Sequence, residues 1–159
     1  MGQEREVMQL SFFRKERRST DFDKREWGTP QSLYYELYLE FKFTVDVCAS
    51  SVNAKCVRYW DEETDGLVQD WSKDVCWMNP PYGRELGQWM YKAYTESQRG
   101  ATVVCLVPVC SDLGWWHDYA MKGEIRFLRG RVSYIAGDKK AGAAPFPSAI
   151  VIFRPKEKT

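Results

Sequence analysis

The chain has 159 residues, of which 44% are hydrophobic and 28% are charged, and this composition excludes wholesale disorder. It contains no apolar run of the ~18 residues that a membrane span needs. The formal net charge is only +1, but residues 27–121 hold 7 basic and 13 acidic side chains, whereas residues 122–159 hold 9 and 3. The basic C-terminal part could meet a polyanion, although a solvated lysine-rich tail would have the same composition.

The cysteines and the histidine give no pattern of metal ligands. The chain has five cysteines but no Cys-x-x-Cys pair, and its one histidine is His117. Because a structural zinc site needs clustered cysteines or histidines, we expect no metal. The cysteines are better interpreted as small buried residues of a protein kept in a reducing compartment.

The start of the chain differs in composition from the remainder. Residues 1–26 are polar and carry basic side chains, which predicts an N-terminal arm, and residues 27–159 are predicted to form one domain. Thr29 can cap a helix and Pro30 suits a first helical turn, so a helix is expected to begin here with Leu37 on its apolar stripe.

Hydrophobic runs and turn residues then predict alternating strands and helices, with strands in succession near the end of the chain. Asp46, Asn79 and Pro108 stand at ends of these strands, where ligands of α/β sheets bind. The pattern predicts an α/β sheet with an antiparallel edge hairpin. We expect strands over residues 43–47, 74–78, 101–107, 125–128, 132–135 and 149–153, helices over 85–98 and 113–121, and a loop over 137–147.

The sharpest motif is Asn79-Pro80-Pro81-Tyr82, which directly follows a predicted strand. An aromatic amine is a poor nucleophile because its lone pair is delocalised into the ring. The side-chain oxygen of Asn79 and the backbone carbonyl of Pro80 could accept both of its N–H groups and favour a pyramidal nitrogen. The prolines would stiffen this loop, and Tyr82 could stack on a base. The alternative is an ordinary proline-rich turn with Tyr82 packed as a lid.

Several short blocks surround that motif in a characteristic order. In this order they resemble the small phage-encoded DNA N6-adenine methyltransferases, members of the class I S-adenosylmethionine-dependent group. The resemblance implies a Rossmann-like sheet, mostly parallel with an antiparallel C-terminal edge hairpin. The blocks are Trp-Gly-Thr-Pro at 27–30, Phe-Thr-Val-Asp-Val-Cys-Ala at 43–49, Asn-Ala-Lys-Cys at 53–56, Asp-Gly-Leu-Val-Gln-Asp-Trp at 65–71, Asn-Pro-Pro-Tyr-Gly-Arg at 79–84, Val-Pro at 107–108, Arg-Gly-Arg at 129–131 and Ala-Pro-Phe-Pro-Ser-Ala at 144–149.

The resemblance also implies roles for individual residues. The catalytic loop would comprise Asn79, Pro80, Pro81 and Tyr82. S-adenosylmethionine would be bound by Thr29, Pro30, Asp46, Val47, Cys48, Ala49, Asp70, Trp71 and Asn79. Three of these have structural alternatives, since Thr29 and Asp46 could each cap a helix and Asp70 could cap a turn.

The loop after the first strand departs from the family pattern. Residues 47–50 contain no glycine, and Val47 stands where the family usually has proline. The acidic residue expected on the cofactor ribose also stays open, because a run of acidic side chains offers several candidates. These are Asp61, Glu62, Glu63 and Asp65.

The reaction implied is direct displacement at the sulfonium methyl, which needs neither a metal nor a covalent intermediate. The expected substrate is double-stranded DNA with the target adenine turned out of the helix. The expected location is the cytoplasm, that of the host cell if the gene belongs to a phage. Phosphates would be held by Arg126, Arg129, Arg131, Lys139 and Lys140, which could alternatively form a solvated hairpin.

Two other functions stay open on the sequence. The same chemistry could act on another amine, such as an RNA base or a protein glutamine. A silent nucleic-acid-binding module is a third possibility, against which the intact motif at 79–82 argues.

Overall fold

The computed structural model describes residues 28–136 and 139–157. The predicted N-terminal arm and its boundary at residue 26 therefore lie outside the described residues. Within the described ranges, no helix is long and apolar enough to cross a membrane, and no group of three or more His, Cys, Asp or Glu side chains could hold a metal ion.

Five of the seven strands form one central sheet in the order β1-β2-β3-β7-β4. The first three run parallel to one another, and β7 runs antiparallel to its two neighbours β3 and β4. The remaining two strands pair as a separate antiparallel hairpin. The strands are β1 (Val45–Asp46), β2 (Val75–Met78), β3 (Thr102–Pro108), β4 (Glu124–Phe127), β5 (Ser133–Ala136), β6 (Lys139–Ala143) and β7 (Ser148–Phe153).

The predicted mixed α/β fold with a mostly parallel sheet is confirmed, with two local differences. Strand β7 lies inside the sheet rather than at its edge, because all six of its residues are buried and need cover on both sides. The predicted loop over residues 137–147 contains β6. Its glycine and alanine residues have low strand propensity, but pairing with β5 overrides that local preference.

Helices cover both faces of the sheet. Helix α1 (Gln31–Phe41) packs on one face, and α2 (Leu86–Arg99) and α3 (Gly114–Asp118) pack on the other. A hydrophobic core lies on each face of the sheet, and alternate residues of β3 pack into one or the other. Val104 packs on the α1 side and Val103 on the α2 side. The continuous apolar run predicted for this strand is thus explained by burial on both faces.

Candidate active site

Two loops leave the sheet side by side at the carboxyl ends of β1 and β2. Asp46 pairs with Trp77 in the parallel ladder, so Cys48 and Asn79, each two residues further along, emerge at the same edge. This edge is where parallel α/β sheets bind ligands. The sequence prediction that Asp46 and Asn79 share one site is consistent with this register.

The side-chain amide of Asn79 is held from both ends. Its Nδ2 donates to Oγ1 of Thr29 at 3.2 Å, and the Tyr82 hydroxyl donates to its Oδ1 at 3.4 Å. Thr29 is only 1% exposed, and its side chain makes no capping bond. The prediction that Thr29 caps the helix is wrong, because Pro30 takes the cap position and the Thr29 hydroxyl is committed to Asn79.

The residues after Asn79 pack tightly. Pro80 is buried, whereas Pro81 and Tyr82 are half-buried. The Tyr82 hydroxyl lies 2.5 Å from the Tyr134 hydroxyl, and its ring stands at 79° to that of Phe146, with centroids 5.5 Å apart. Burial raises the pKa of Tyr82, so this hydroxyl stays protonated at neutral pH. Tyr82 therefore has a hydrogen-bonding role that an account based only on ring stacking omits.

Asp46 organises the loop that follows β1. Its carboxylate accepts the backbone N–H of Cys48 at 3.3 Å and that of Lys55 at 3.0 Å. The side chain is 2% exposed, and this burial raises its pKa to about 7. Asp46 thus holds the loop backbone through two hydrogen bonds rather than capping a helix.

The loop itself presents small residues. Val47 turns its side chain into the core, while Cys48 and Ala49 are half-buried. Burial also raises the pKa of the Cys48 thiol, which keeps it neutral. A second segment packs closely against this loop, because a Cβ on Gly66 would lie 2.0 Å from the Val47 carbonyl oxygen. Only glycine fits at position 66.

Two of the predicted cofactor residues do not reach this edge. Asp70 is exposed, accepts from the backbone N–H of Ser72 at 2.9 Å, and lies 3.6 Å from the guanidinium of Arg99, the last residue of α2. That position is at the amino end of β3, opposite Asn79, so the turn-cap interpretation of Asp70 fits the structure and a cofactor role does not.

Trp71 is likewise part of the core. It is fully buried between Trp60 and Trp89, and its Nε1 donates to the Gly66 carbonyl at 2.8 Å. A ring without accessible surface offers no contact to a ligand. The residue that the fold brings against the loop after β1 is Gly66, which directly follows Asp65 of the acidic run.

Lys55 belongs to this edge, although sequence reasoning assigned it no role. Its Nζ lies 3.1 Å from Oε1 of Gln31, the first residue of α1, and its own backbone N–H bonds Asp46. Desolvation lowers the pKa of this half-buried amine. In the part of the chain that the structure describes, no carboxylate forms an ion pair with it. The Asn-Ala-Lys block at 53–55 was the available signal.

The predicted DNA-contacting residues divide into two groups. Arg126 is used within the fold, since its guanidinium bonds both oxygens of Glu40 at 2.6 and 2.8 Å and also Glu124 at 2.6 Å. The positive charge is therefore neutralised locally, and the prediction that Arg126 holds phosphate is not supported.

Arg129 and Arg131 are placed differently. Both are exposed on a turn whose central Gly130 has φ +74°, a conformation that favours glycine. Within the described ranges neither forms an ion pair. The turn borders a groove of about 650 Å³, whose opposite wall is the start of α1 at 30–33. Lys139 and Lys140 lie on the neighbouring strand β6.

Comparison with known proteins identifies the family to which this chain is related. The family model of the DNA N-6-adenine-methyltransferases (Dam) matches residues 17–159. The DNA N-6-adenine-methyltransferase of Haemophilus phage HP1 is 31% identical over 142 residues, covering 84% of this chain and 81% of that protein. The protein of the same name from Escherichia phage T1 is 23% identical over 145 residues, covering 76% and 60%.

A shorter match is the putative methyltransferase YfdM of Escherichia coli, 33% identical over 64 residues, covering 36% of this chain and 70% of that protein. The family match spans the whole described structure and every block that carried the resemblance from residue 27 onward. The chain therefore belongs to the DNA N-6-adenine-methyltransferase (Dam) family.

Proposed function

We propose that this chain carries out its family's reaction, methylation of adenine N6 in DNA, with S-adenosylmethionine as the methyl donor and the target adenine turned out of the duplex. The observation that carries the proposal is the amide of Asn79, held between Thr29 and Tyr82 at the carboxyl end of β2. The sequence left three acceptors open: a base in DNA, a base in RNA and a protein glutamine. The family match favours DNA.

Asn79 is proposed to accept a hydrogen bond from the adenine amine. Its Oδ1 accepts from the Tyr82 hydroxyl at 3.4 Å, and an amide oxygen can accept more than one hydrogen bond, so the adenine amine would donate to the same oxygen. Together with the backbone carbonyl of Pro80, it would hold both N–H groups and draw the nitrogen lone pair out of conjugation. The half-buried ring of Tyr82 would flank the base.

The cofactor is proposed to lie over the small residues Cys48 and Ala49, beside Thr29 and Lys55. When bound, it supplies a methyl group on a sulfonium sulfur that a nucleophile can displace directly. The amino-acid part of this cofactor carries a carboxylate, and the Lys55 side chain suits it. In the described structure the half-buried Lys55 amine has only the neutral Gln31 amide as its hydrogen-bond partner. An anionic carboxylate would stabilise that charge.

DNA is proposed to lie against the turn that carries Arg129 and Arg131. Both guanidinium groups are exposed, and the groove beside them leads to the start of α1, next to Thr29. Phosphates contacted here would hold the duplex while the target base enters the site. Lys139 and Lys140 on β6 would add charge along the same hairpin.

A radiolabel transfer experiment tests the proposal. Purified protein is incubated with methyl-tritiated S-adenosylmethionine and, in parallel, with unmethylated duplex DNA, RNA or a protein mixture. We expect label only in DNA, and hydrolysis to nucleosides should recover it as N6-methyladenine. The Asn79→Ala variant serves as the control for contaminating activity. Label in RNA or protein instead, or on another DNA base, would contradict the proposed acceptor.

A further inference from the structure

Tyr134 makes a closer polar contact with the catalytic loop than any residue so far given a role. It lies on β5, is 1% exposed, and its hydroxyl oxygen is 2.5 Å from that of Tyr82. The two rings stand at 77° with centroids 6.3 Å apart, so the contact is made through the hydroxyl groups and ring edges rather than by stacking. A buried hydrogen bond this short restricts both side chains.

Because each phenol has one proton to donate, the direction of this contact is linked to the other hydrogen bonds of Tyr82. The Tyr82 hydroxyl also lies 3.4 Å from Oδ1 of Asn79 and 3.5 Å from the Leu106 carbonyl oxygen, and both of these groups can only accept. A phenol has one proton to donate. Tyr82 can donate to Asn79 or Leu106 only if its bond with Tyr134 is one in which Tyr134 donates.

The same strand also supports the other partner of Asn79. Ile135, next to Tyr134, exchanges two backbone hydrogen bonds with Gly28, of 2.7 and 3.0 Å. Gly28 directly precedes Thr29, whose hydroxyl accepts from Nδ2 of Asn79. Two adjacent residues of β5 thus fix the two groups that hold the Asn79 amide.

We propose that Tyr134 is a positioning residue for methyl transfer, which donates to the Tyr82 hydroxyl and so orients Tyr82 and the Asn79 amide. The inference rests on the proposed function of the catalytic loop and adds the hairpin β5–β6 to the machinery that aims it. Because the hairpin also borders the Arg129–Arg131 turn, this contact would connect the region proposed to hold DNA with the reacting amide.

The test is a double-mutant cycle with Tyr134→Phe, Tyr82→Phe and the double variant. Each single variant removes one end of the same hydrogen bond and keeps the ring. We expect each single variant to lower the single-turnover rate on saturating DNA about tenfold. The double variant should be no slower than the slower single variant, because the bond is already lost. The dissociation constants for cofactor and DNA should stay within about twofold.

Tyr34→Phe is the matched control. Tyr34 is also buried in the core on the α1 face, and its hydroxyl bonds Cys56 Sγ at 3.3 Å, away from Asn79. Its removal should leave the rate within about twofold of wild type. A comparable loss in this control would show that the effect of Tyr134→Phe comes from the core in general and would overturn the inference.

Three further results would also overturn it. These are a folded Tyr134→Phe variant with a wild-type rate, a loss confined to substrate affinity, and multiplicative losses in the double variant. Thermal melting of every variant separates an effect on rate from an effect on folding: an unfolded Tyr134→Phe variant would assign this hydroxyl to the stability of the fold and so contradict the positioning role. The rates are read on whichever acceptor the wild-type protein labels, so an error in the proposed acceptor stays distinguishable from an error in the positioning role.

Discussion

The proposed catalytic loop at 79–82 and the basic turn at 129–131, which is proposed to hold DNA, are built in opposite ways. In the loop, Asn79 and Tyr82 are half-buried and bonded to side chains from distant parts of the chain. In the turn, Arg129 and Arg131 are exposed and form no ion pair within the described ranges.

The contrast matches two different physical tasks. A group that polarises a reacting amine works by preorganisation, so each of its hydrogen bonds is fixed before the substrate arrives. A group that neutralises phosphate works by charge over a longer distance, and it tolerates a mobile side chain. Arg126 is close in sequence to the basic turn but belongs with the fixed groups, because its guanidinium forms ion pairs with Glu40 and Glu124.

The largest expected effect comes from removing the fixed amide. Asn79→Ala should lower the methyl-transfer rate by ~10²–10³, because one preorganised hydrogen-bonding group is lost. Cofactor affinity, measured by calorimetry, should stay within a few-fold of wild type. A variant that kept more than about a tenth of the wild-type rate would remove the basis for treating the loop as preorganised.

A second experiment tests whether Lys55 binds the carboxylate of the cofactor. Lys55→Met should weaken S-adenosylmethionine binding about tenfold, because the interaction between the Lys55 ammonium and the carboxylate of the cofactor is lost. Binding of 5′-methylthioadenosine, which has no carboxylate, should change less than about twofold. Both ligands are measured by calorimetry.

The matched control is Lys73→Met, since Lys73 is an exposed lysine that lies just before β2 at the opposite edge of the sheet. It should alter neither affinity. Equal weakening of both ligands by Lys55→Met would assign Lys55 a role in folding rather than in carboxylate binding.

The exposed turn should respond to salt. Arg129→Ala and Arg131→Ala should each weaken DNA binding and reduce the slope of log K against log salt by up to about one, because each removes one phosphate contact. Cofactor binding should be unchanged. Fluorescence anisotropy with labelled duplex at several salt concentrations gives the slopes.

Arg126→Ala provides the contrast within the same segment. It removes the bonds to Glu40 and Glu124, so it should lower the melting temperature while leaving the salt slope at the wild-type value. The reverse pattern, an unchanged slope in both turn variants and a reduced slope for Arg126→Ala, would exchange the roles assigned to these arginines.

The smallest effect concerns Asp46 and the pH dependence of stability. Burial raises its pKa from 3.8 to about 7, so the folded state holds this proton more tightly than the unfolded state. Its contribution to the free energy of unfolding is present at low pH and is lost as pH rises from about 4 to about 7, at no more than about 1.4 kcal/mol per pH unit.

Denaturant unfolding of wild type and Asp46→Asn at several pH values isolates this contribution. Asparagine does not titrate, so the stability difference between the two proteins should change across that interval and be constant above it. Parallel profiles over the whole range would mean that the pKa of Asp46 is the same in the folded and unfolded states and that the loop after β1 tolerates its charge.

Much of the fold could be predicted because it depends on local patterns. The β-branched run in β3 indicated a strand covered on both faces, and the Asn-Pro-Pro-Tyr block after a strand indicated a loop at the carboxyl edge. Strand β6 was missed, since its Gly and Ala residues carry no strand signal and only the partner β5 supplies its hydrogen bonds.

By itself, the sequence determined the α/β class, the Asn-Pro-Pro-Tyr motif and the order of the blocks, because these follow from residue type and from spacing along the chain. Tertiary structure alone decided which side chains meet. Thr29 binds Asn79 across 50 residues, Arg126 binds Glu40 across 86, and Asp70 lies at the far edge of the sheet. Such pairings depend on how strands and helices pack, and no local pattern carries that information.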